Sequence, residues 1–115
     1  MITAKELKQL SLLKLDNEAL LAKLKDDFLD IVDMAYGEMN KNPVSRSRYR
    51  QNKLMQIDND TDKKVVIEFA KFIQQYGYFC YSDPVYSAYV VYFDEDINWN
   101  PYRVNVLGVS KVVMD

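Results

Sequence analysis

Three groups of side chains in this 115-residue sequence have the types and spacing to do chemistry. Asp94, Asp96 and Asn98 carry the D-x-D-x-N spacing that opens a calcium loop, where oxygen ligands on alternate residues turn toward one hard cation. Trp99 stands where that loop needs glycine for its sharp turn, and Asn105 where a bidentate glutamate closes the shell, so a solvated hairpin loop is the simpler account. Asp26, Asp30 and Asp33 fall on one helix face, a set able to hold magnesium and equally the ordinary polar side of an amphipathic helix. Arg46, Arg48 and Arg50 flank Tyr49. Guanidinium forks bind phosphate or carboxylate in pairs of hydrogen bonds, and a tyrosine ring stacks on a nucleobase.

Much else that catalysis uses is missing. The chain has no histidine, which removes the usual general base at neutral pH, the partner of a nucleophilic serine or cysteine, and the commonest transition-metal ligand. One cysteine without histidine cannot build a zinc site. Neither a Walker A nor a G-x-G-x-x-G pattern occurs, and three glycines in all leave no phosphate cradle. The sequence therefore predicts a protein that is not an enzyme and takes no cofactor and no metal. Cys80 excludes an internal disulfide and, between Phe79 and Tyr81, reads as packed instead of reactive, which fits a reducing, cytosolic setting. No apolar run approaches the ~20 residues that cross a bilayer, and no signal peptide is expected.

Charge narrows the partner. The net charge is -2 and the isoelectric point about 5.1, but residues 39–57 carry five bases and no acid, between a leading block of five bases and eight acids and a trailing block of five bases and nine acids. Nucleic-acid binders present a broad basic face, so this island is better matched to acidic helix faces in the same molecule or a neighbour. Nine tyrosines, seven of them after position 75, are the other conspicuous set. Tyr86, Tyr89, Tyr92 and Tyr102, with Trp99 in a loop, supply rings with an apolar body and a polar tip, the kind enriched in strands and at protein interfaces.

The elements that must position these residues follow from periodicity and punctuation. Thr3 caps a helix, with Glu6 reaching back to its backbone N–H and Ile2 and Leu7 in the staple positions. That helix carries Leu7, Leu10 and Leu13 and breaks near Leu15-Asp16-Asn17, where a second is capped. Leu20, Leu21, Leu24, Phe28, Ile31, Val32, Ala35 and Met39 hold helical spacing over about five turns. Gly37 and the Asn40-Lys41-Asn42-Pro43 cluster are expected to end it. Residues 44–57 alternate with period two, which would place the three arginines on one face of a strand that continues through Leu54, Met55 and Ile57 as an edge strand. Asn59-Asp60-Thr61-Asp62 then turns and caps a third helix bearing Val65, Val66, Phe69, Ala70, Phe72, Ile73 and Tyr76, stopped by Gly77. Strands are expected at 78–82, 85–93 and 102–109. The middle strand is apolar or aromatic almost throughout, so both of its faces need cover.

Ile2-Thr3-Ala4-Lys5-Glu6 at the start and Tyr76-Gly77-Tyr78 at the helix-strand junction are the residues by which the chain resembles a group of small tailed-phage proteins. These open with an ITAKE-like segment, continue into a long helix, and later pass from helix through Gly-Tyr into strand. Usage rich in Lys, Asn, Asp and Tyr looks like that of an AT-rich phage genome. The group mostly lacks an assigned activity, so the resemblance implies an architecture and a place in the virion or the host cytoplasm, and it brings no catalytic residue. The basic insert at 44–53 and the longer aromatic hairpin depart from it.

These readings together predict an α+β domain over residues 1–115: two N-terminal helices and a central helix on one face of a small antiparallel sheet of three or four strands. They predict a non-enzymatic phage protein acting by protein-protein contact, as a virion-associated or assembly component. Tyr86, Tyr89, Tyr92, Trp99 and Tyr102 are the expected partner contacts, and Arg46, Arg48, Arg50 and Tyr49 an anion or acidic-partner contact. The partner would be a virion or host protein, with homo-oligomerisation a further option and no membrane involved. The alternatives are an early inhibitor of a host enzyme or defence factor, with Asp26, Asp30 and Asp33 as a decoy for a basic site, and a nucleic-acid-binding accessory protein.

Overall fold

Thr3 starts the first helix as the capping pattern requires. The Glu6 amide donates to the Thr3 hydroxyl at 3.2 Å, and that hydroxyl in turn donates to the Glu6 carboxylate at 3.2 Å, in place of the expected backbone contact. In a computed structural model, which describes residues 1–13, 15–93 and 102–108, this helix α1 spans Ala4–Ser11. Asp16 caps α2 (Asn17–Lys41) by accepting from the Ala19 amide at 2.7 Å. Gly37 does not end α2: the helix runs one turn further and stops at Asn42, ahead of Pro43. A glycine inside a helix costs only about 1 kcal/mol, which the packing of the last turn against the next helix outweighs.

That next helix corrects the strand expected over Arg46, Arg48 and Arg50. Residues Ser45–Gln51 form α3, tied back by the Ser45 hydroxyl donating to the Asn42 carbonyl at 2.7 Å and closed by the Asn52 side-chain amide donating to the Arg48 carbonyl at 2.9 Å. The physical reason is Glu38. In a strand, neighbouring residues 48 and 49 point to opposite faces and cannot share one carboxylate; in a helix they lie 100° apart, and both do. The arginines consequently do not share a face: Arg46 and Arg50 lie on one side of α3 and Arg48 on the other.

β1 (Met55–Asp58) is the edge strand expected from Met55 and Ile57, both buried. Asp62 then caps α4 (Lys63–Gln74), accepting from the Lys64 amide at 2.9 Å and from the Asn17 side-chain amide at 3.1 Å, which joins the starts of α2 and α4. Gly77, at φ +87°, ends α4 in a Schellman arrangement, its amide donating to Gln74 and that of Tyr78 to Ile73. β2 (Phe79–Asp83) and β3 (Ala88–Tyr92) form a hairpin whose turn occupies residues 84–87, so Val85 and Tyr86 lie in the turn and not in the strand. β4 is two residues long, Val104–Asn105.

Among the described residues the sheet is antiparallel throughout, in the order β1-β3-β2-β4, and the fold is α+β with four helices instead of the three expected. One face packs on α2 and α4, with Phe28 at its centre. The Phe28 ring meets Phe69, Phe72 and Tyr78 edge to face at centroid distances of 5.9, 6.3 and 4.8 Å. Tyr81, Val90 and Tyr92 cluster on the other face, where the Arg103 guanidinium lies 4.3 Å over Tyr81 and 4.8 Å over Tyr92. Val90 and Val91 point to opposite faces and both are fully buried. The cover that β3 demands is therefore met in the isolated chain.

Candidate interaction surface

Each set of sequence-predicted contact residues has a definite place. Tyr92 is 2% exposed and Tyr89 half-buried against the core, which corrects Tyr92 from a partner contact to a packing residue. Tyr86 is exposed in the hairpin turn with the Lys53 ammonium 4.0 Å over its ring, and Tyr102 is exposed beside β4. Trp99 lies outside the described residues, as do Asp94, Asp96 and Asn98. The four described rings therefore do not make one docking face.

The arginine island turns inward on its own molecule. Arg48 pairs with Glu38 at 2.6 Å, the Tyr49 hydroxyl donates to the second carboxylate oxygen of Glu38 at 2.5 Å, and Arg46 Nε donates to the Met39 carbonyl at 3.0 Å. The Tyr49 hydrogen bond, helped by Arg48, holds the Glu38 carboxyl below its usual range, and the same bond raises the Tyr49 phenol. Asp26, Asp30 and Asp33 lie exposed on α2, and among the described residues no three acidic or thiol side chains converge as a metal would require. Burial pushes the Cys80 thiol up to about 12, too high for a nucleophile at neutral pH.

What sequence reasoning missed is that α1 is left exposed. No residue of this helix is buried; Leu7, Leu10, Leu12 and Leu13 are 55, 65, 72 and 70% exposed, and Ile2 and Leu15 are exposed beside them. With Met1 these side chains form a run of exposed large apolar residues, the kind of surface that marks an interaction site. The signal was available: leucines at 7, 10, 12, 13 and 15 surround a helix too short to hold its own shape and set off by a break from α2.

A second apolar feature lies beside α2, where Val32, Ala35, Tyr36, Met39, Leu54 and Tyr78 line a groove of about 180 Å³. Tyr36 on its rim is 68% exposed. The other flank of α2 borders a more open hollow of about 380 Å³ lined by Asp27, Asp30 and Gln56 among others. No helix among the described residues is long and apolar enough to cross a membrane. Comparison with protein families, with curated proteins and with solved structures gave no match.

Proposed function

We propose that this chain works by protein-protein contact and without catalysis, as a virion-associated or assembly component of a tailed phage. One observation carries the reading: α1 is a capped amphipathic helix whose leucines are all left in solvent. Exposed apolar surface of this size lowers solubility unless a partner covers it, and an eight-residue helix gains its stability from packing. The inward pairing of Arg46, Arg48 and Tyr49 weighs against the nucleic-acid reading, because the groups that would grip phosphate are engaged with Met39 and Glu38.

The test is size-exclusion of infected-cell extract together with mass spectrometry of purified particles. The expected result is the chain in particles or in a complex larger than itself, lost on Leu7→Asp with Leu10→Asp. A chain absent from particles and eluting at its own mass overturns the reading.

A further inference from the structure

Alternation across the sheet decides which backbone groups of β1 are left over. The Val106 amide donates to the Cys80 carbonyl at 2.9 Å, so the polar groups of Cys80 point to β4 and those of Val91, its neighbour on β3, point the other way, to β1. There the Leu54 amide meets the Val91 carbonyl at 2.8 Å. With Met55 opposite Val91 and Ile57 opposite Tyr89, these two residues use their N–H and C=O groups inside the sheet, and Gln56 and Asp58 aim theirs outward. The Asp58 carbonyl accepts from the Thr61 amide at 3.1 Å. The N–H and C=O of Gln56 and the N–H of Asp58 meet no backbone partner among the described residues.

Gln56 is also one wall of the hollow of about 380 Å³, whose opposite wall is the turn of α2 bearing Asp27, Asp30 and Ile31. A strand laid on β1 would cross that opening about 4.8 Å from Gln56. Little in β1 repels one, because Met55–Asp58 holds no lysine or proline and its register with β3 is unbroken. The other edge strand, β4, is two residues long and closes in a turn, the Gly108 amide donating to the Asn105 carbonyl at 2.9 Å.

We infer that the open edge of β1 is a strand-addition site for an extended basic segment of a partner protein, held by main-chain hydrogen bonds to Gln56 and Asp58 and by a lysine or arginine at Asp30. This surface shares no residue with α1, so it stands or falls apart from the docking of that helix. Side-chain alternation sets the sequence that fits. A residue opposite Gln56 keeps its side chain in solvent beside that of Gln56, and the residues before and after it point to the α2 face, as buried Met55 and Ile57 do. One of these meets the carboxylates and the other lies on Ile31 and Leu54. Asp27 already pairs with Lys23 at 2.6 Å, whereas Asp30 has no partner among the described residues. The same charge disfavours a second copy, since pairing β1 with β1 about a two-fold axis sets Asp27 and Asp30 of one molecule against those of the other.

The test titrates the full, isotope-labelled chain with the peptide acetyl-Thr-Lys-Thr-Val-Thr-Lys-Thr-amide, whose lysines and valine share one face, and follows the backbone amides by NMR. Saturable shifts centred on Gln56 and Asp58, with exchange of their amides slowed at least ~10-fold, support the site. Binding should weaken at least ~10-fold when the two threonines beside the valine are N-methylated, when both lysines become glutamate, or when the chain carries Asp27→Asn with Asp30→Asn. Gln56→Pro should do the same with the fold intact, because the N–H it removes faces out of the sheet. No saturable shift at Gln56 by ~2 mM peptide overturns the proposal. So does binding that survives N-methylation, which is contact without strand pairing, or binding that survives the change of lysine to glutamate. Should Gln56→Pro not fold, the peptide variants decide alone.

Discussion

Replacing Leu7, Leu10 and Leu13 together by serine separates a helix that packs on its own chain from one that waits for a partner. These leucines keep 55, 65 and 70% of their surface in solvent, so the folded chain withdraws less than half of each. Full burial of a leucine is worth about 1.5–3 kcal/mol, so the surface withdrawn within the chain corresponds to at most about 1.4 kcal/mol per residue, and the surface left for a partner to about 1–2 kcal/mol. Serine at positions 7 and 10 also lowers the helical propensity of α1 by a few tenths of a kcal/mol each, but α1 shares no buried residue with the core, so global unfolding hardly registers that loss. Across the three positions association should weaken by about 3–6 kcal/mol, a factor of roughly 100 to 10,000, with the urea midpoint nearly unchanged. Sedimentation reads the first quantity, and urea titration followed by the near-ultraviolet signal of the sheet tyrosines reads the second. A midpoint that falls as far as it does for a core substitution would refute the reasoning, because α1 would then be packed on its own chain.

Phe69→Ala supplies the core comparison: its ring is fully buried and edge-on to Phe28, so urea denaturation should show a loss of about 3–5 kcal/mol. Asp62 and Glu38 have carboxyls held below their usual range, Asp62 by the Lys64 amide and then the Asn17 side chain, and Glu38 by the Tyr49 hydroxyl, helped by Arg48. A depressed folded value stabilises above the unfolded one, so thermal melts should be flat near neutrality and decline as the pH falls below about 4.5. Asp62→Asn with Glu38→Gln should flatten that decline. Cys80 should resist thiol reagents in the native chain and react at the rate of global unfolding, as a denaturant series with a chromogenic disulfide would show.

Local chemistry made much of the fold legible. Thr3, Asp16 and Asp62 cap helices where the sequence places them, the apolar spacing from Leu20 to Met39 and from Val65 to Ile73 is helical, and Gly77 marks the junction with the sheet. Met55 and Ile57 revealed an edge strand in four residues. The readings that failed are those in which a distant group decided the outcome. Arg46 to Arg50 alternate as a strand would, but the Glu38 carboxylate favours the helix that brings Arg48 and Tyr49 to it together. Gly37 reads as a terminator because sequence cannot show that the turn beyond it is held by α3. Tyr92 reads as interface because rings are common in both settings, and only its place beneath Arg103 decides for packing. For α1 the capping pattern announces a helix and its leucines an apolar face to be covered, without saying by which molecule.

Amide hydrogen exchange of residues 4–11, followed in the pure chain across a dilution series, tests most directly the claim that α1 is a docking helix without a partner in its own chain. In dilute solution these amides should exchange within about two orders of magnitude of the unstructured rate, far ahead of α4, because eight residues alone cannot hold a helix. Protection should rise on addition of particle extract, when a partner covers the leucines. Amides of α1 as protected as those of α4 at every concentration would contradict the account.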